Sequence, residues 1–379
     1  MPDSDLTRRN LLISGGLLAA AALPSMAATP LAPPDKQPEK LDVPTAQKKA
    51  GWAIMGLGEL ALQQVLPAFG ACERSRPVAL VSGHPDKARK VAEAYGIDPK
   101  NIYGYGDYDK IQGNPAVDVI YNILPNHMHA EYTVRGFKAG KHVLCEKPMA
   151  PTTKECEEMI AAGKSAGKQL MIAYRLHYEP TNLKAVELLR GGGFGKIKFI
   201  EATNSQNTYP PNIRLSRETA GGPLVDVGIY CLNACRYLTG EEPVEVSGLL
   251  HQPPGSERFA EVPESIIFTL RFPSGAMAMC ACGFGTGRSD RFRVHCDKGY
   301  VELDPAFRYQ GLKLRTEQDN IKSEHTMEPK DHFTQEMDHF SDCVLSNKPN
   351  RSPGEEGLRD MVIIAKINEA IREGRTIQL

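Results

Sequence analysis

Short apolar runs alternate with amphipathic stretches through the first half of the chain. Runs at residues 52–55, 78–82, 117–124, 142–145 and 169–173 are too short for helices and read as buried strands. Between them, residues 61–70, 86–95, 129–139 and 153–166 carry apolar side chains at three-to-four spacing and read as helices. Strands alternating with helices predict a parallel, doubly wound α/β domain over residues 50–173. Beyond Tyr174 longer strands dominate, at 196–203, 244–251, 265–272, 276–284, 291–296 and 300–303. Tight turns such as Phe272-Pro273-Ser274-Gly275 join several of them, so antiparallel pairing is expected. Helices at 224–238 and 355–372 accompany this second, α+β domain of residues 174–379, whose sheet is open and mostly antiparallel. The last helix is expected to pack back on the first domain.

The amino-terminal pattern is different. Thr7-Arg8-Arg9-Asn10-Leu11-Leu12 opens an apolar run that ends at Leu23, before Pro24 and the small-residue site Ser25-Met26-Ala27-Ala28. The run is shorter than the roughly 20 residues a spanning helix needs, so residues 1–28 read as a cleaved twin-arginine leader and the mature protein as periplasmic. Residues 29–49 hold Pro30, Pro33, Pro34, Pro38 and Pro44 without apolar periodicity, and form either a spacer or an arm that wraps a neighbouring subunit.

Composition narrows the partners. With 41% hydrophobic and 24% charged residues and a formal charge of -1, the chain has no electrostatic footprint for nucleic acid or anionic lipid. A neutral small molecule is the expected partner. Nine cysteines, an odd number at irregular spacing, argue for buried free thiols rather than a disulfide framework.

The first strand runs into Gly56-Leu57-Gly58-Glu59-Leu60-Ala61, which fills the three small positions of a dinucleotide-binding turn: the tight turn, the close approach of pyrophosphate, and helix-to-strand packing. Where a carboxylate would hold an adenosine ribose, the second strand ends in Ser82-Gly83-His84, with Lys87 and Arg89 following. A missing acid beside cations favours a 2'-phosphate, hence NADP. Leu124-Pro125-Asn126 and Glu146-Lys147-Pro148 leave successive strands at the carboxyl edge, where ligands of open α/β sheets bind. Proline stops further ladder pairing and delivers Lys147 into the crevice.

Asp226, Tyr230 and Asn233 follow i, i+4, i+7 spacing, on one face of an otherwise apolar helix. Interconverting an alcohol and a carbonyl needs a proton donor and acceptor at oxygen, and a tyrosine whose pKa is lowered by a lysine serves both directions. Tyr230 with Lys147 is the expected pair, with Asp226 orienting a hydroxyl or the tyrosine. Arg175 and His177, just past the domain junction, are candidates for substrate hydroxyls. His127 and His129 flank a loop without further ligands, so no metal site is expected.

These segments, together with His129-Ala130-Glu131, the stretch Ala139-Gly140-Lys141-His142-Val143-Leu144-Cys145 and Asp226-Val227-Gly228-Ile229-Tyr230, resemble the Gfo/Idh/MocA superfamily. Within it, exported glucose-fructose and aldose-aldose oxidoreductases share the leader, the proline-rich arm, Ser82, Tyr174-Arg175, His177-Tyr178 and Arg351-Ser352-Pro353-Gly354-Glu355-Glu356-Gly357. The resemblance implies a sugar oxidoreductase with tightly held NADP that exchanges hydride between two sugars in ping-pong fashion, in a homo-oligomer with exchanged arms. It implies cofactor contacts from Gly56, Gly58, Leu60, Ala61, Ser82, Gly83, Lys87, Leu124, Asn126, His129, Glu146, Lys147 and Arg175. It also implies substrate contacts from Lys147, Tyr174, His177, Arg214, Asp226 and Tyr230, with Lys147, Tyr230 and Asp226 catalytic. Ile213-Arg214-Leu215 and Gly221-Gly222-Pro223 depart from the glucose-fructose pattern near the sugar pocket, which leaves the sugars open. Three alternative functions stay open as well: a dehydrogenase with exchangeable NADP, a nicotinamide-dependent glycosidase, and a non-catalytic binding protein.

Overall fold

The computed structural model describes residues 48–379; the expected leader and residues 29–47 of the expected arm lie outside the described residues. In the first domain the order is β1 (Ala50–Met55), α1 (Leu66–Ala68, entered through a π-helical turn over Ala61–Val65), β2 (Ser75–Val81), α2 (Pro85–Ala94), β3 (Ile102–Tyr103), β4 (Val119–Asn122), α3 (His129–Lys138), β5 (His142–Glu146), α4 (Thr153–Ala166) and β6 (Leu170–Ala173). All pairs are parallel, in the order β3-β2-β1-β4-β5-β6. Every residue of β1 and β4 is buried, because helices cover both faces and leave no solvent side for alternation. Strand order reverses between β1 and β4, and that switch point opens the crevice at their carboxyl ends.

The second domain runs α5 (Pro180–Arg190), β7 (Ile197–Asn207), α6 (Ile229–Thr239, entered through a π-helical turn over Leu224–Gly228), β8 (Glu245–His251), β9 (Ser265–Arg271), β10 (Met277–Gly283), β11 (Gly285–Cys296), β12 (Gly299–Leu303), β13 (Leu314–Gln318), β14 (Ile321–His325), α7 (His332–Ser346), α8 (Gly354–Glu373) and β15 (Ile377–Gln378). Its nine strands are ordered β14-β13-β12-β11-β7-β10-β9-β8-β15. Pairing is mostly antiparallel, as expected, with one exception: β10 lies parallel to β7. The chain between these two strands passes through α6 and the β8–β9 pair, long enough for the crossover a parallel pair needs. Ile266, Phe268 and Leu270 of β9 point inward, whereas Ile267 points out beside Leu249, Met277, Met279 and Phe199 on the uncovered face.

Besides the two-residue strands β3 and β15, helix α5, the β13–β14 hairpin and helix α7 escaped the sequence reading. Glu179 caps α5 through Thr181 and Asn182, with Pro180 at its first turn. Asp319 and Asn320, both at positive φ, make the two-residue turn of the β13–β14 hairpin. Helix α7 returns to the first domain, where Ser341 Oγ accepts from the Trp52 indole at 2.9 Å. Phe340 meets the same indole edge-to-face. Helix α8 also reaches back, with Gly354 and Gly357 packed against Leu170, Ile172 and Met149.

Candidate active site

One cleft of about 800 Å³ lies between the two domains. Its first half is built on the turn after β1. Gly56 has φ of 92°, and a Cβ there would stand 2.8 Å from the Ile123 carbonyl oxygen, so both conformation and space demand glycine. A Cβ on Gly58 would meet nothing within 4 Å, which leaves the backbone open to a close ligand. Ala61 is wholly buried beneath the turn. Ser82, His84 and Lys87 line the far end, where Lys87 Nζ donates to the Leu57 carbonyl at 3.3 Å. Gly83 packs against the Tyr105 ring, and Arg89 is paired with Asp86 outside the cleft. Leu60, Leu124, Asn126, His129, Glu146 and Arg175 complete this half.

The second half gathers around Tyr230. Lys147 Nζ lies 4.6 Å from the centre of its ring and Arg175 Cζ 5.1 Å. Lys147 donates to the Asp226 carbonyl at 2.8 Å and reaches its carboxylate at 3.5 Å, while Arg214 Nε holds the other carboxylate oxygen at 2.8 Å. Burial pulls the Lys147 pKa down, but Tyr230, Asp226 and Glu146 outweigh it and raise it above its ordinary value. Burial likewise opposes charge on Asp226, and there Lys147 and Arg214 prevail, so the carboxyl sits below its ordinary range. Asp226 and Lys147 are therefore an ion pair across the cleft. Behind the lysine, Glu146 accepts from the Tyr121 hydroxyl at 2.8 Å; burial pushes its pKa up against the pull of Lys147.

The structure does not bring every expected residue to this cleft. Tyr174 donates to Asp360 at 2.7 Å, His177 Nε2 lies 2.7 Å from Asn233 Oδ1, and Asn233 donates to Asp360 at 3.0 Å. Tyr174, His177 and Asn233 instead border a small side cavity behind Tyr230. Asn233 sits one turn deeper in the interior than Tyr230, so its polar atoms serve the network on Asp360, whose other oxygen pairs with Arg236 at 2.6 Å. The substrate role expected for Tyr174 and His177 has no polar contact facing the cleft to support it.

Sequence reading missed Asn204, Gln206, Arg288, Asp290 with its partner Arg308, and Tyr309, all of which line the second half. A signal existed for two of them. The inward positions of β7 read Ile200, Ala202, Asn204, Gln206, turning from apolar to polar where the strand enters the cleft. Arg288 and Asp290 stand on β11, and Arg308 and Tyr309 on the loop after β12; only the fold sets their place. Among the described residues no cluster of His, Cys, Asp or Glu suits a metal, and no helix is long and apolar enough to cross a membrane. All nine cysteines are free thiols.

Residues 50–174 match the oxidoreductase family with an NAD-binding Rossmann fold, and residues 182–302 match the GFO/IDH/MocA C-terminal domain. A D-xylose 1-dehydrogenase [NADP(+)] of Haloarcula marismortui is 30% identical over 336 residues, spanning 86% of this chain and 92% of that protein. The chain belongs to the Gfo/Idh/MocA oxidoreductase family. Among solved structures, the aldose-aldose oxidoreductase of Caulobacter crescentus, complexed with glycerol, is similar at 43% identity with a TM-score of 0.86, over 88% of this chain and 100% of that one. A 3-ketoreductase of Actinomadura kijaniata, bound to NADP and TDP-benzene, shares the fold: TM-score 0.78 at 22% identity, over 86% of this chain and 98% of that one.

As a Gfo/Idh/MocA oxidoreductase the chain uses a nicotinamide cofactor, and its first half-cleft fits one. The open backbone at Gly58 admits the pyrophosphate, and the Leu124–Asn126 and Glu146–Lys147 loops border the path from there to Tyr230.

Proposed function

We propose that the protein is an exported sugar oxidoreductase with captive NADP, which oxidises an aldose to its lactone and reduces a second sugar at the same site. The likeness to an aldose-aldose oxidoreductase, at 43% identity over that protein's full length, carries this reading. Ser82, His84 and Lys87, with no carboxylate among them at the end of β2, favour the 2'-phosphate of NADP. The twin-arginine leader supports export with the cofactor already in place. Outside the inner membrane no soluble nucleotide pool exchanges with it, so one sugar must undo what the other did.

A nicotinamide bound there would supply the hydride acceptor for oxidation at sugar C1 and the hydride donor for the second sugar. Tyr230 takes the proton of the C1 hydroxyl as the lactone forms and gives it back to the carbonyl oxygen of the acceptor. Lys147 places a positive charge 4.6 Å from the ring centre, beside the oxygen on which charge develops during transfer. Asp226, ionised by Lys147 and Arg214, accepts a hydrogen bond from a neighbouring sugar hydroxyl and fixes the ring's orientation. Asn204, Gln206 and Arg288 supply polar contacts for the remaining hydroxyls.

A second reading, an NADP-dependent dehydrogenase whose cofactor exchanges, is favoured by the likeness to a D-xylose 1-dehydrogenase. Nucleotide content after extensive desalting separates the two: retention supports the captive reading, and an empty protein that turns over only with added NADP supports the other. Exposed Phe199, Leu249, Ile267, Met277 and Met279 on the uncovered face support pairing with a second copy.

A further inference from the structure

His129 is wholly buried at the start of α3, and both its ring nitrogens face main-chain carbonyl oxygens: Nδ1 lies 2.8 Å from Pro148 O and Nε2 2.8 Å from Leu124 O. Carbonyl oxygens only accept. Both contacts are therefore hydrogen bonds only when both nitrogens carry protons; a neutral imidazole donates to one carbonyl and turns a lone pair toward the other. The two carbonyls belong to different loops. Leu124 leads into the loop of Asn126 on the nucleotide side, and Pro148 follows Lys147. Asn122 Nδ2 donates to the His129 carbonyl and to Thr133 Oγ1, both at 3.1 Å, and so pins the first turn of α3, from which the ring projects, to β4.

We propose that His129 is a positioning residue that ties the loop carrying Lys147 to the loop carrying Asn126, gripping both when protonated and only one when neutral. Nucleotide hold and the placement of Lys147 then change together. Burial draws the imidazole pKa below its ordinary value, main-chain contacts from Pro148, Leu124 and Met149 oppose this, and the charge of Lys147 adds to the decrease. From α3 and β4 its neighbours are the neutral Thr133 and Asn122. The double grip accordingly belongs to the acid side of neutrality.

This inference rests on the proposed function only for the choice of NADP as probe. Release of NADP from the holoenzyme, followed by trapping it with excess scavenging enzyme between pH 5 and 8, tests it. Wild type is expected to release the nucleotide about tenfold more slowly at the acid end, the effect of one charge-assisted hydrogen bond. His129→Gln is expected to release it faster and to lose that step. The 2'-phosphate titrates in the same range but is common to both proteins, so a step of equal size in the variant overturns the proposal. Should the protein purify without nucleotide, the captive reading fails, and the same comparison is made by titrating NADP into it. Independently of any nucleotide and of whether the variant folds, ¹⁵N resonances of the wild-type histidines report the ring state. Two protonated nitrogens on His129 at pH 5 and one at pH 8 support the grip; a single unchanged tautomer across that range overturns it.

Discussion

The ammonium of Lys147 stands 4.6 Å from the centre of the Tyr230 ring but spends its shortest hydrogen bond, 2.8 Å, on the main-chain carbonyl of Asp226. The lysine is thereby fixed from the turn that precedes the tyrosine's own helix. Lysine and tyrosine, 83 positions apart by their numbers, thus share one rigid frame, with the Asp226 carboxylate as a third member.

Removing the Tyr230 hydroxyl separates chemistry from binding. Tyr230→Phe keeps the ring that Lys147 and Arg175 flank, so nucleotide content should stay at the wild-type level. The rate of sugar oxidation should fall by about 10²- to 10⁴-fold, the usual worth of a positioned proton donor and acceptor. Stopped-flow absorbance of the reduced nicotinamide, with bound nucleotide quantified in parallel, checks both expectations.

The ionisation of Asp226 depends on two cations. Loss of Arg214, as Arg214→Gln, leaves burial less opposed, so the carboxyl pKa rises and the carboxylate is lost at higher pH than in wild type. The acid limb of kcat/KM should therefore move to higher pH while the alkaline limb keeps its place. A pH profile of the two proteins with the same aldose decides the matter.

Glu336 lies wholly buried on α7, and neither carboxyl oxygen has a hydrogen-bond partner among the described residues. Burial first, then the charge of Glu146, push its pKa well above the ordinary value, against Arg175. Above the unfolded pKa the folded state thus binds the extra proton, and stability falls as pH rises from there toward the folded pKa. Glu336→Gln removes this dependence. It should gain about 1–3 kcal/mol over wild type at pH 8 and little at pH 4, measured by urea unfolding. An equal gain at both values would count against an uncharged Glu336.

On the uncovered sheet face, Ile267 of β9 and Met279 of β10 stand about half exposed. Glutamates at both positions place charge in the centre of the patch without entering the core, since the alternate residues Phe268 and Cys280 point inward. Light scattering should find an oligomer for wild type and a monomer of unchanged circular dichroism for the double variant.

Much of this was legible in the sequence because it rests on local rules. The parallel sheet followed from alternating runs, and the glycine turn from Gly56, Gly58 and Ala61. Lys147 followed from a proline that ends its strand. What stayed hidden depends on long-range placement. Helix α7 is an ordinary amphipathic segment, and only the fold brings Ser341 to the indole of Trp52 at a separation of 289 residues. His177 looked available because it follows Arg175, yet Asn233 and Asp360, distant in sequence, claim the interior there. Asp290 reaches the cleft from β11, and Arg308 and Tyr309 from the loop after β12, in positions the strand order sets.

The most direct test of the central claim uses mature protein purified without added nucleotide. Its bound nucleotide is identified by mass spectrometry, and its near-ultraviolet spectrum is recorded while single sugars are added in turn. The account predicts one equivalent of NADP, absorbance of reduced nicotinamide on adding an aldose, and bleaching of that band on adding a second sugar. A folded protein that carries no nucleotide, or whose reduced band persists against every sugar offered, would contradict it.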